Sequence, residues 1–181
     1  MGDGWANFFV LLGTASAGLM GLLFVVVTLT SGFDRTQAMR GARLYLTPTA
    51  LHFSVVLSVS AVGVTPGLPM PLTAGLFCAI ALVGFVWSVT TSIGIRRPSP
   101  GGQKAHWTDF WMYGATPAIV YLALAVAGGA LWAGVVWAAQ VLAGLLLGLL
   151  LIGIRNAWDL ITWIAPMRDS PPAPPPSDPT P

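Results

Sequence analysis

DFWMYGATPAIVYLALAVAGGALWAGVVWAAQVLAGLLLGLLL, residues 109–151, is a run of 43 residues whose single charge, Asp109, stands at its start. As one helix it would extend roughly 65 Å at ~1.5 Å per residue. That is about twice the ~30 Å hydrocarbon core of a bilayer. The run therefore has to fold back. Gly128-Gly129 is the natural breaker pair within it, and a turn there divides it into two membrane-length segments, 109–127 and 130–154.

Working outward, three further apolar runs precede this one, at about 5–30, 44–64 and 72–95. The chain is 55% hydrophobic and only 8% charged, against about 25% charged in a soluble domain. The reading is an all-α polytopic membrane protein, a bundle of five transmembrane helices occupying residues 1–165. Residues 156–165, with Trp158, Asp159 and Trp163, continue span 5 into the membrane interface or lie along it. Residues 166–181 are rich in Pro, with Ser and Asp, and read as a disordered tail.

Charge supports the five-span count independently. The eight basic residues form three clusters in alternate gaps: Arg35, Arg40 and Arg43; Arg96, Arg97 and Lys104; Arg155 and Arg168. Basic loops stay on the cytoplasmic side, so the N-terminus is expected outside and the C-terminus inside. Four spans would place Arg155 outside. The net charge of +2 and pI near 9.1 then reflect topogenic loops rather than a nucleic-acid-binding face. Trp5, Trp132 and Trp137 fall toward the outer interface, and Trp107, Trp111, Trp158 and Trp163 toward the inner one, as an aromatic belt requires.

Ala15-Ser16-Ala17 resembles a signal-peptide cleavage site. However, no Lys or Arg precedes it and the apolar run continues to Leu29, so a retained first helix is expected. Cys78 is the only cysteine, and Glu is absent. The Arg preference and the Ala, Gly and Pro richness point to a GC-rich bacterial genome and hence the inner (plasma) membrane.

Lipid removes the hydrophobic drive between helices, so association rests on small residues that let backbones approach. Gly13, Ala17 and Gly21 are spaced four apart on span 1, and Gly144 and Gly148 on span 5. Span 3 has Gly84 and Ser88, and span 4 has Gly114 and Ala118. These stripes serve either packing within the bundle or a subunit interface with a second copy or a larger membrane complex.

Spans 2–3 and 4–5 also match each other. Each hairpin begins near a Thr-Pro pair, Thr47-Pro48 and Thr116-Pro117, and each ends in Ile-Gly-Ile-Arg, finishing at Arg96 and Arg155. Aligning the two Thr-Pro pairs, which are 69 residues apart, places His52 opposite Tyr121. Hairpins of equal orientation would be parallel repeats, although apolar low-complexity sequence produces such coincidences easily. Pro48 and Pro117 either free the carbonyls four residues earlier, of Leu44 and Tyr113, and permit kinks, or are irregularities at the helix entries.

Polar groups within the spans are few. His52 is the only imidazole in one, and Tyr121 and Gln140 are its candidate partners if spans 2, 4 and 5 meet. An intramembrane ionisable residue marks a functional site by default; an interhelical hydrogen bond is the structural alternative. No His-Glu-x-x-His, Gly-x-Ser-x-Gly or phosphate-cradling glycine loop is present. Metal, cofactor and enzymatic roles are therefore not expected. Two classes of function remain. One is a non-catalytic structural or accessory subunit. The other is a homo-oligomeric channel or transporter for a small ion or solute, with His52 on its pathway.

Overall fold

The structure, a computed structural model, describes residues 3–30, 46–96 and 110–164. The arginine cluster at 35–43, the residues Arg97, Lys104 and His106, and the Pro-rich tail lie outside the described residues. Five helices account for nearly all of the rest: α1 (Asp3–Thr30), α2 (Thr47–Val64), α3 (Met70–Arg96), α4 (Thr116–Trp132) and α5 (Ala138–Ile164). A π-helical turn, Trp111–Ala115, runs directly into α4. All five are long and apolar enough to cross a membrane, the fourth counted together with its π-turn.

The turn in the long apolar run is not at Gly128-Gly129. Both glycines are helical and α4 continues to Trp132. Gly128 is buried, and a Cβ there would lie 2.7 Å from the Cys78 Sγ and 3.5 Å from the Ala74 carbonyl oxygen. Its role is close approach of α3, not chain reversal. The helix stops one turn later at Gly134, whose φ of +76° suits glycine. There the Val135 N–H donates to the Ala130 carbonyl and the Gly134 N–H to that of Leu131. This pair of bonds is a Schellman motif, which satisfies the last carbonyls of a helix. Span 5 accordingly begins at Ala138, not 130, and runs unbroken to Ile164 through the segment read as interfacial. The other tight turn, after α2, uses Pro66-Gly67 with φ +72° at the glycine, as a proline-led turn favours.

Helices α2, α3, α4 and α5 form a ring in which each packs on the next and α5 closes on α2. Helix α1 lies outside the ring, mainly on α2. The α1–α2 pair is antiparallel, since Phe9 meets Gly63, Gly13 meets Ser60 and Ser16 meets Phe53. The last contact is a hydrogen bond, with the Ser16 hydroxyl donating to the Phe53 carbonyl at 2.7 Å. The α3–α4 seam is antiparallel too: Cys78 meets Gly128, Gly84 meets Tyr121 and Ser92 meets Gly114. The Cys78 thiol donates across it to the Ala125 carbonyl at 3.3 Å. Helices α1, α3 and α5 thus finish at one end of the bundle, where α2 and α4 begin. This basic end carries Arg96 and Arg155, the only Lys or Arg among the described residues.

Candidate functional site

Helix α2 buries one face, made of Pro48, Thr49, His52, Phe53, Val55, Val56, Val59 and Ser60. These positions recur at three- and four-residue spacing, so they share a side of the helix. Ser60 packs on Gly13 of α1, while most of that side points into the ring. His52, 1% exposed, therefore projects across it toward α4, on the opposite corner. There its Nδ1 lies 2.8 Å from the hydroxyl of Tyr121, which is fully buried. The ring centroids are 5.7 Å apart. The Tyr121 ring lies where a Cβ on Gly84 would fall, so the glycine on α3 makes the space that lets the phenol reach the imidazole. Whichever partner supplies the proton of this bond, His52 Nε2 has no hydrogen-bond partner.

The two residues are 69 apart in sequence, the same offset that relates the two Thr-Pro pairs. Residues at that offset in the two hairpins thus touch across the ring diagonal. The two prolines occupy similar local positions. Pro48 and Pro117 are both buried, both lie in the first turn of their α-helices, and both follow π-helical backbone at Leu46 and Trp111–Ala115. Within the second π-turn the Thr116 N–H donates to the Trp111 carbonyl, five residues back. A widened turn is one way to pass a residue that has no N–H. Proline therefore coincides with a change of helix type at the start of α4, not with an interruption inside it. Leu44 lies outside the described residues.

Gln140 does not join the site. Because α5 starts at Ala138, Gln140 sits in its first turn rather than mid-span, and it is exposed. Its amide, in the orientation that satisfies it, donates to the Val136 and Trp137 carbonyls at 3.1 Å. Ser54 is also engaged locally, donating to the Ala50 carbonyl at 2.8 Å.

A residue that the sequence reading passed over takes a place in the core instead. Asn156 is fully buried, and neither its Nδ2 nor its Oδ1 has a partner. Its signal is positional: with Leu149, Gly153 and Leu160, all buried, it holds helical spacing on the inner stripe of α5. Ending span 5 at 154 hid this.

The small-residue positions divide into two groups. Gly13 packs on Ser60, with a Cβ-to-Cβ approach of 3.1 Å were it alanine. Ala17 and Gly21, in the same expected stripe, are exposed. Nothing lies within 4 Å of a Cβ built on Gly18, Gly21, Gly144 or Gly148. Among the described residues no group of three or more His, Cys, Asp or Glu side chains gathers in metal-binding fashion. No known protein family, curated protein or solved structure matches the chain.

Proposed function

We propose that this is a multi-pass protein of a bacterial plasma membrane, with its N-terminus outside and its C-terminus in the cytoplasm. In this reading it is a non-catalytic structural or accessory subunit. It assembles with itself or with a larger membrane complex through the small-residue faces of α1 and α5. The observation that carries the reading is the unused set of glycines. Gly63, Gly84, Gly114, Gly128 and Gly153 each accommodate a neighbouring side chain at a distance no Cβ would tolerate. Gly144 and Gly148 accommodate nothing, and they sit four apart on the outward face of α5 beside exposed Val141 and Leu151. In lipid such a face gains stability by receiving another helix.

Gentle purification from native membranes, followed by mass measurement of the intact particle, tests this. A stoichiometric foreign partner or a defined homo-oligomer is expected. A particle that is monomeric while still folded overturns the reading. For orientation, a cysteine replacing exposed Gly67 is expected to react with a membrane-impermeant thiol reagent from outside only. Labelling only from the cytoplasmic side reverses the topology.

One observation favours a second reading, a homo-oligomeric channel or transporter: the buried Nε2 of His52 has no partner. Reconstituted protein would then support an ion or proton flux that His52→Gln abolishes without loss of assembly. Against this reading, neither Asp nor Glu occurs within the described spans away from their ends, whereas cation-coupled carriers rely on such a residue.

A further inference from the structure

The core of the ring is not uniform along its length. Toward the basic end it buries Thr49, His52, Ser88, Tyr121 and Asn156. Toward the other end it is filled mainly by Phe77, Leu124, Leu131, Leu142 and Leu146, all buried; the buried polar residues there are Thr73, bonded to the Pro69 carbonyl, and Ser60, which packs on Gly13 of α1. Within the polar half, three polar atoms have no protein partner: His52 Nε2, Asn156 Nδ2 and Asn156 Oδ1. They belong to two helices in direct contact, since the Phe53 ring lies 2.7 Å from where a Gly153 Cβ would be. His52 is one residue from Phe53 on the basic side. Asn156 is three residues past Gly153 on the same side, about 4.5 Å of helical rise. The two side chains are therefore within about one helical turn of each other along the bundle axis.

We infer that the basic-end half of the bundle holds an internal hydrated site, in which water bridges the His52 Nε2 and the Asn156 carboxamide. The chemistry selects the occupant. The carboxamide offers both donors and an acceptor, and the imidazole Nε2 offers one or the other according to tautomer. Water matches every combination. A buried water needs two to four polar partners, and these atoms supply three. An ion fits poorly. The charged groups nearest in sequence, Arg155 and Asp159, pair with each other at 3.2 Å and are solvent-facing, at 49% and 39% side-chain exposure. Neither α2 nor α4 with its π-turn carries a charged side chain, and the one on α3, Arg96, lies over the Phe110 ring at 4.1 Å. Without water, three buried polar atoms would carry their full desolvation penalty. The inference is independent of the assembly reading, because every atom in it belongs to one chain.

Water-edited solid-state NMR in liposomes tests it. The protein would carry nitrogen-labelled histidine and His106→Gln, so that His52 is the single imidazole. Rapid magnetisation transfer from water to the His52 ring is expected, with a several-fold loss of that transfer and a lower melting temperature in Asn156→Leu. Absence of transfer in the protein that retains Asn156 overturns the inference whether or not the variant folds. A higher melting temperature in Asn156→Leu with unchanged transfer also overturns it, because a dry, unpaired amide gains stability on becoming apolar.

Discussion

The α3–α4 seam and the outward face of α5 are both rich in small residues, yet they do opposite things. In the seam, Gly84, Gly114 and Gly128 alternate with side chains from the facing helix, and the backbones close until Ser92 Cα would lie 3.1 Å from a Gly114 Cβ. On the outer face of α5, Gly144 and Gly148 have the same four-residue spacing and no neighbour within 4 Å. The difference teaches that a small-residue stripe states only that a close approach is possible. What fills the space is decided by the partner surface. In the seam that surface is a large ring, a thiol or a serine hydroxymethyl on the adjoining helix; on α5 no side chain of the same chain supplies one.

The comparison is broken most forcefully at Gly84. In Gly84→Leu the new side chain competes with the Tyr121 ring for one volume, flanked by the backbones of two packed helices. Overpacking of this kind costs about 1–3 kcal/mol and occasionally more, and here the displaced ring also gives up its bond to His52. A loss of roughly 3 kcal/mol or more is expected in denaturant titration of the detergent-solubilised protein, by that principle. If Gly84→Leu proves as stable as the parent, α3 and α4 do not approach as described.

Tyr121→Phe separates volume from hydrogen bonding at the same point. The ring stays and the hydroxyl goes, leaving His52 Nδ1 without its 2.8 Å partner. Loss of one partner of a buried bond costs about 1–3 kcal/mol, so the drop should be smaller than for Gly84→Leu. The double variant His52→Phe/Tyr121→Phe should recover part of it, because both polar ends are then removed. A Tyr121→Phe protein of unchanged stability would mean that the pair contributes nothing net.

How much of this was legible in the sequence follows from the same residues. The five apolar runs were readable because membrane helices announce themselves by length and by lack of charge. His52 and Tyr121 could be set opposite each other because both follow a Thr-Pro pair by the same interval. The turn was misplaced because Gly128-Gly129 and Gly134 are equally good breakers in isolation. Only the Cys78 and Ala74 surface against Gly128 distinguishes a packing glycine from a capping one, and that surface belongs to another helix. The same displacement put Gln140 mid-span and Asn156 outside it, reversing which of the two amides is buried. Which glycines of the stripes face inward was equally illegible. The stripe carries a period but no phase relative to the core, and α1 shows the consequence: Gly13 is buried on Ser60 while Gly21, two turns on, meets nothing.

The smallest effect on protomer stability, and the sharpest test of the contrast, comes from the outer face. Gly144→Ile/Gly148→Ile adds bulk where no side chain of the same chain stands within 4 Å. The protomer should stay within about 0.5 kcal/mol of the parent, as substitutions away from packed features do. Association is a different matter. Two branched side chains on one face hold a partner backbone away, so the intact-particle mass should fall to that of the protomer in a homo-oligomer, or a foreign partner should be lost. Unchanged stability with unchanged assembly would show that the α5 face meets lipid only, leaving the α1 face with Gly18 and Gly21 to carry assembly. Loss of protomer stability would show that these glycines already serve the internal packing, and the contrast between the seam and the outer face would disappear.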